Sequence, residues 1–283
     1  MADGEFTATR DGVRLAVSRW QPAGEPLANV YLLHGFGEHA GRYARLGEVL
    51  TAAGYALTSL DHRGHGRSDG PRATVPDAHR LADDWRMFLA AEAADGLPRI
   101  LLGHSMGGPV AAQVALAEPG AYAGLVLSSP YLQPATPPPA VLVAALGVLR
   151  RVAPGLTVEK LSSADLSREP LEAAAYDDDP LVHHGGVSAL SAHSLLGAGR
   201  YVLDRAGELD LPLLILHGAR DNIAGIEGSR QLVAAAGSRD KRIVEFEEAR
   251  HEVMNDLDRE LFYEELLDWL GYRLGARGYE DED

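Results

Sequence analysis

The chain contains no cysteine. Disulfides, thiolate metal sites and a cysteine nucleophile are therefore excluded. The lack of disulfides fits a reducing cytoplasm, the location the sequence predicts. Positive charge is also scarce: 26 lysines and arginines face 41 aspartates and glutamates, a formal net charge of −15. A nucleic-acid binder normally carries a basic patch or stripe, so no nucleic-acid partner is expected. The same balance weakens any case for tight docking on anionic lipid. No internal repeat is present. The longest nearly apolar run covers 137–149, shorter than the roughly 20 residues that cross a bilayer. The opening Met1-Ala2-Asp3-Gly4-Glu5-Phe6 has neither a basic start nor an apolar run and does not read as a secretory leader.

What is present is the composition of a soluble globular protein, 46% hydrophobic and 24% charged, over 283 residues. Such a chain can bury a sizeable core in one or two domains. Two strands, 5–9 and Arg14–Trp20, are joined at an Asp11-Gly12 hairpin signal. A rhythm then sets in. Strands are expected at Asn29–Leu33, 55–60, 100–103, Gly124–Ser128, 211–217 and 242–246. Helices are expected at 42–53, 78–93, 106–117, 229–236 and Arg259–Leu274. Strands alternating with helices predict an α/β fold with a mostly parallel sheet of eight strands, covered on both faces. The rhythm breaks at 131–206, a stretch Pro-rich at first and then helical in pattern. It reads as a helical insertion, a cap, within a core of 1–130 and 207–277. The acidic tail 278–283 is expected to be disordered.

Gly103-His104-Ser105-Met106-Gly107-Gly108 lies where a strand turns into a helix. In a chain with 31 glycines the Gly-x-Ser-x-Gly pattern alone is within reach of chance, and its position is what gives it meaning. A nucleophile at the tip of such a turn needs small neighbours two residues away, and the helix that follows points N–H groups at developing negative charge. A serine hydroxyl needs a base, and the base needs a carboxylate to orient it. In chain order after Ser105, Asp221 follows the strand 211–217 and His251 follows the strand 242–246. The alternative acid position after Gly124–Ser128 offers only Ser129-Pro130-Tyr131-Leu132. Three residues of the right kinds at three strand ends make Ser105, Asp221 and His251 the candidate catalytic set. The oxyanion would be held by the backbone N–H groups of Met106 and Phe36, the latter from the loop His34-Gly35-Phe36-Gly37.

At this point several loops resemble the monoacylglycerol lipase and lysophospholipase group of α/β-hydrolases. They are His34-Gly35-Phe36-Gly37-Glu38-His39-Ala40-Gly41-Arg42-Tyr43, Asp61-His62-Arg63-Gly64-His65-Gly66-Arg67-Ser68-Asp69-Gly70, the elbow at 103–108, Asp179-Pro180-Leu181-Val182-His183, and Arg250-His251-Glu252-Val253-Met254-Asn255. The resemblance runs over about 5–274. It implies the α/β-hydrolase fold, the same three catalytic residues, a helical cap at 131–206, and cofactor-free hydrolysis of a fatty acyl ester of glycerol. The chain departs from the family after Asp221, where Asn222-Ile223-Ala224-Gly225 stands, a change expected to reshape the pocket wall.

Other residues are open to two readings. Glu38 and Arg42 either bind a polar head group or form an ion pair that holds their loop. His34 reads as a turn-packing residue, and His183 and His184 as cap or surface residues. Asp61, His62 and His65 lack a zinc spacing, so no metal is expected. The apolar stretch 140–149, ending in Arg150-Arg151, reads as lining an acyl pocket or touching a membrane or micelle, and as a helix packed between core and cap; the two readings are compatible, since a pocket wall is also a core face. The expected partner is a small ester or lipid. Rival activities are lysophospholipase, thioesterase, short-chain carboxylesterase and proline iminopeptidase, and the non-enzymatic rival is an inert binder of an apolar ligand.

Overall fold

The computed structural model describes residues 5–92 and 95–274. The acidic tail 278–283 and the last position of the helix expected at 78–93 lie outside them. An eight-stranded sheet runs through the molecule. Its strands are β1 (Phe6–Ala8), β2 (Arg14–Trp20), β3 (Asn29–Leu33), β4 (Ala56–Leu60), β5 (Arg99–His104), β6 (Gly124–Ser128), β9 (Leu213–Gly218) and β10 (Lys241–Phe246). The spatial order is β1-β2-β4-β3-β5-β6-β9-β10. The hairpin β1–β2 and the pair β2–β4 are antiparallel, and every later pair is parallel.

The inner strands are apolar on both faces because both faces are covered. Tyr31, Leu33, Leu101, Leu125, Leu127, Leu213 and Ile215 join one core cluster, with residues of α2 (Ala78–Ala91), α3 (Gly107–Ala117) and α7 (Ala189–Asp204). The alternate residues Val30, Leu32, Ile100, Leu102, Val126, Leu214 and Leu216 join the other, with α1 (Ala44–Ala52) and α9 (Arg259–Leu274). This is the period of two expected of strands sandwiched between helix layers. Strand order reverses between β3 and β5, since β4 lies on one side of β3 and β5 on the other. Loops at the carboxyl ends of these two strands open a crevice, the usual place for a ligand in a sheet of this kind.

The interval 131–206 holds α4 (Ala140–Val152), β7 (Thr157–Glu159), α5 (Ser163–Leu166), α6 (Pro170–Asp178), β8 (Val187–Ser188) and α7. It is not wholly helical: β7 and β8 pair as a short antiparallel ribbon. Three- and two-residue strands are too short to carry a periodic signal. The segment's final helix is pinned to the sheet-flanking layer, where the Ser191 and Ser194 hydroxyls accept the Val75 and Ala78 N–H groups at 3.0 and 2.8 Å. By contrast, α4 contains no buried residue and packs on α7. The reading of 140–149 as a helix packed between core and cap is therefore corrected, because among the described residues no layer covers the helix's outer side. Among the described residues no helix is long and apolar enough to cross a membrane.

Candidate active site

Ser105 stands at the tip of the turn between β5 and α3 with φ of +51°, the left-handed region that non-glycine residues rarely occupy. The turn is tight enough to exclude side chains beside it. A Cβ on Gly103 would collide with the backbone of Gly107, and one on Gly107 with the Leu33 carbonyl. The strained serine is held by its own backbone. Its N–H donates to the Ser128 carbonyl at 3.0 Å, and its carbonyl accepts from Gly108 and Tyr131 at 3.0 and 2.9 Å.

The structure brings Ser105, Asp221 and His251 together. His251 Nε2 lies 2.8 Å from Ser105 Oγ, and its Nδ1 lies 2.7 Å from Asp221 Oδ2. The second oxygen of Asp221 accepts from the Ile223 and Ala224 N–H groups at 2.8 and 2.9 Å. All three residues are buried. Burial opposes charge on Asp221, but the neighbouring His251 and His217 outweigh it and hold the carboxyl far below the usual range. Burial likewise opposes charge on His251, and the Asp221 carboxylate overcomes it, so the imidazole titrates above its ordinary value. A serine hydroxyl on an imidazole that is held in turn by a buried carboxylate is an arrangement that activates oxygen for attack on an acyl carbon.

The cleft above Ser105 is lined by Phe36 and Met106, by the apolar Leu161, Leu166, Val187, Leu195 and Ile223, and by the polar Glu38, Arg42 and Glu252. Among the described residues, neither the Phe36 nor the Met106 N–H donates a hydrogen bond within the protein. The Phe36 loop is fixed from both sides. The Gly35 N–H donates to Glu38 Oε1 at 2.5 Å, and the Gly37 carbonyl accepts from the His183 N–H at 2.7 Å. His183 also stands edge-on to the Phe36 ring, so it reaches from the insertion to this loop, whereas His184 is exposed.

Glu38 and Arg42 line the cleft and are bound to each other. Arg42 Nη1 donates to Glu38 Oε2 at 2.7 Å, and the guanidinium forks onto Glu252 at 2.6 and 2.8 Å. Tyr43 Oη donates to Glu38 Oε1 at 2.5 Å, and the Tyr176 ring lies 4.8 Å from the Arg42 guanidinium carbon. Despite burial, which favours the neutral acid, the Arg42 charge holds Glu38 down to about 2 and lowers Glu252 as well. This knot joins the Phe36 loop, the loop carrying His251 and the insertion, for the Glu252 N–H donates to the Leu166 carbonyl at 2.7 Å. The sequence assigns Glu252 no role, although it follows His251 directly. Nothing local reveals that it meets a side chain 210 positions earlier.

His34, Asp61, His62 and His65 form a separate buried group behind Phe36. His34 bridges two loops, with Nδ1 2.8 Å from the Gly35 carbonyl and Nε2 accepting the His62 N–H at 2.9 Å. Asp61 accepts the Ala40 and Arg67 N–H groups, each at 2.8 Å. Burial lowers all three histidines, His65 to about 3, so their rings stay neutral.

The departure after Asp221 also has a place in the geometry. Ile223 forms cleft wall, its carbonyl accepts the Ala135 N–H at 3.0 Å, and the Gly225 N–H donates to the Gln133 carbonyl at 2.9 Å. The segment that starts the insertion is thereby stitched to the loop carrying Asp221.

Residues 24–258 match the hydrolase family described as "Serine aminopeptidase, S33". A monoacylglycerol lipase of Mycolicibacterium smegmatis is 40% identical over 92% of this chain and 93% of its own length. The human monoglyceride lipase is 35% identical over 95% and 90%. The chain belongs to the monoacylglycerol lipase group of the α/β-hydrolases. A crystal structure of the monoacylglycerol lipase from Paleococcus ferrophilus superposes with a TM-score of 0.80 at 34% identity, covering 92% of this chain and 99% of the other. The resemblance in the loops at 34–43, 61–70, 103–108, 179–183 and 250–255 is thus that of a true member of the α/β-hydrolase lipases.

Proposed function

We propose that the protein is a serine esterase that hydrolyses monoacylglycerols to a fatty acid and glycerol, with Ser105, Asp221 and His251 as its catalytic residues. The unbroken chain of contacts from Asp221 through His251 to Ser105, beneath an apolar cleft, carries the reading. Ser105 Oγ attacks the ester carbonyl as its proton passes to His251 Nε2, and Asp221 stabilises the imidazolium that forms. The oxyanion is held by the N–H groups of Phe36 and Met106. Collapse breaks the ester bond, and the glycerol oxygen leaves with the proton from His251. Water then gives a proton to His251, attacks the acyl-enzyme, and the acid departs as Ser105 recovers its hydrogen. No cofactor enters these steps.

The acyl chain is assigned to the apolar wall of Leu161, Leu166, Val187, Leu195 and Ile223, and the glycerol to the polar end at Glu38 and Arg42. Residues 131–206 are taken as the cap over this cleft. The exposed apolar residues of α4, among them Val141 at 72% and Val152 at 71% exposure, are assigned to transient contact with a micelle or uncharged lipid surface. The cytoplasm is the proposed location, on the reducing chemistry a cysteine-free chain suits.

A panel of monoacylglycerols of rising chain length, beside the matching lysophosphatidylcholines and acyl thioesters, tests the assignment. Turnover greatest on glycerol esters is expected. Faster turnover of the phosphocholine ester or the thioester would replace this substrate with a lysophospholipase or thioesterase assignment.

A further inference from the structure

His217 is buried at the carboxyl end of β9, four residues before Asp221. The steps above do not use it. Its Nε2 faces two oxygens, the Ala224 carbonyl at 3.1 Å and Asp221 Oδ2 at 3.3 Å. Two acceptors at one ring nitrogen require a proton there. In the tautomer with its proton on Nε2, the ring offers Nδ1 as an acceptor to the buried Ser229 hydroxyl, 2.8 Å away on α8 (Ile226–Ala235). Ser229 thus sets the tautomer from the side away from the cleft.

The consequence falls on Asp221. Its Oδ1 takes two backbone N–H groups, and its Oδ2 takes the His251 Nδ1–H with His217 as second neighbour. Ala224 is gripped at both ends, its N–H by Asp221 and its carbonyl by His217. We propose that His217 is a positioning residue for the reaction, holding the Asp221 carboxylate in line with His251 through contacts fixed by Ser229. The inference rests on the reading of Ser105, Asp221 and His251 as the reacting set.

The charged and titratable groups facing His217 are Asp221 and, paired with it across β9 and β10, Glu245. Those facing His251 are Asp221, Glu252, Glu38 and the His104 ring, whose centroid is 5.0 Å away. Among the described residues only Asp221 belongs to both sets. A loosened Asp221 supports the imidazolium less, so the His251 midpoint falls.

The test is the pH dependence of kcat/KM on a soluble short-chain p-nitrophenyl ester for His217→Leu, His217→Gln and Ser229→Ala. His217→Leu is expected to lower kcat by about tenfold or more, with KM within about twofold. It should also move the acid-limb midpoint down by about half a unit or more. The amide of His217→Gln can place an N–H near the lost one and is expected to restore the midpoint, with kcat within about threefold of the parent. If His217→Leu does not fold, Ser229→Ala decides, with the same directions and a kcat loss of about two- to fivefold. An unmoved or raised midpoint in the deciding variant, or a Gln variant as impaired as Leu, would overturn the proposal. Full activity in Ser105→Ala would instead overturn the underlying reading.

Discussion

Helices α3 and α4 are built from much the same residues, and they sit at opposite extremes of burial. Ten of the eleven residues of α3 are buried, whereas none of the thirteen in α4 is. The difference lies in what surrounds them. The first packs against β3, β5 and β6 and beneath α2 and α7, while the second packs on α7 with its other sides open. Burial follows from place in the topology, and apolar composition alone does not decide it. The same contrast divides the work of the enzyme. The proposed chemistry sits on the sheet frame at the end of β5 and the start of α3, where a displaced backbone would misplace Ser105. The proposed contact with lipid falls to α4, a segment held on α7 with its other faces exposed.

Variants at the rigid site and at α4 should differ by orders of magnitude. The largest effect is expected from Asp221→Asn, which presents the wrong hydrogen-bonding group to His251 and should cost about 10⁴ in kcat. In the parent, kcat/KM should rise with pH through a midpoint above the ordinary histidine value of 6.5, because Asp221 raises His251 against burial. In Asp221→Asn that support is lost and the midpoint should fall, as a pH–rate profile would show.

Next comes Arg42→Met, which strands Glu38 and Glu252 in the interior without their cation. Urea unfolding should show a loss of about 3–5 kcal/mol. The pH dependence should also change sign. In the parent, Glu38 is lowered from 4.5 to about 2, so its contribution is complete above 4.5 and is lost as the pH falls toward 2. Without Arg42 burial raises both carboxyls. Their penalty then grows as the pH rises through those raised values, so the variant should be more stable near pH 5 than at pH 7.

Gly107→Ala should cost about 3 kcal/mol or abolish folding, since its methyl meets the Leu33 carbonyl, a backbone atom that cannot turn away. The smallest change is expected on α4. Val141→Glu with Val148→Glu, both on exposed positions one heptad apart, should alter unfolding free energy by no more than about 0.5 kcal/mol. Turnover of a soluble short ester should stay within about twofold, while turnover of monoacylglycerol in uncharged vesicles should fall about threefold or more. Equal loss on both substrates would sever the link between α4 and lipid surfaces.

Much of the frame and the three-residue constellation is legible in the sequence, and the reason is physical. Strands buried on both faces read as short apolar runs, and β2, β3 and β6 fall at their expected bounds. Functional groups placed just past such runs converge at one sheet edge, which is why the chain alone singles out Ser105, Asp221 and His251. The knot of Glu38, Arg42 and Glu252 is different. Its members lie on two loops whose approach is set by tertiary packing, so a head-group role and an ion-pair role read alike from sequence. The exposure of α4 and the ribbon of β7 and β8 are hidden for a related reason, as neither leaves a period in the chain. His217 does carry a signal, a histidine ending a strand four residues before the acid, but its meaning needs the Ser229 and Ala224 contacts.

The central claim is that Ser105 is the nucleophile, and active-site labelling with a fluorophosphonate tests it most directly. Intact mass followed by peptide mapping should find one adduct per chain, on Ser105, with esterase activity lost in step with labelling and no adduct in Ser105→Ala. An adduct on another residue, or full activity in protein labelled at Ser105, would contradict the account.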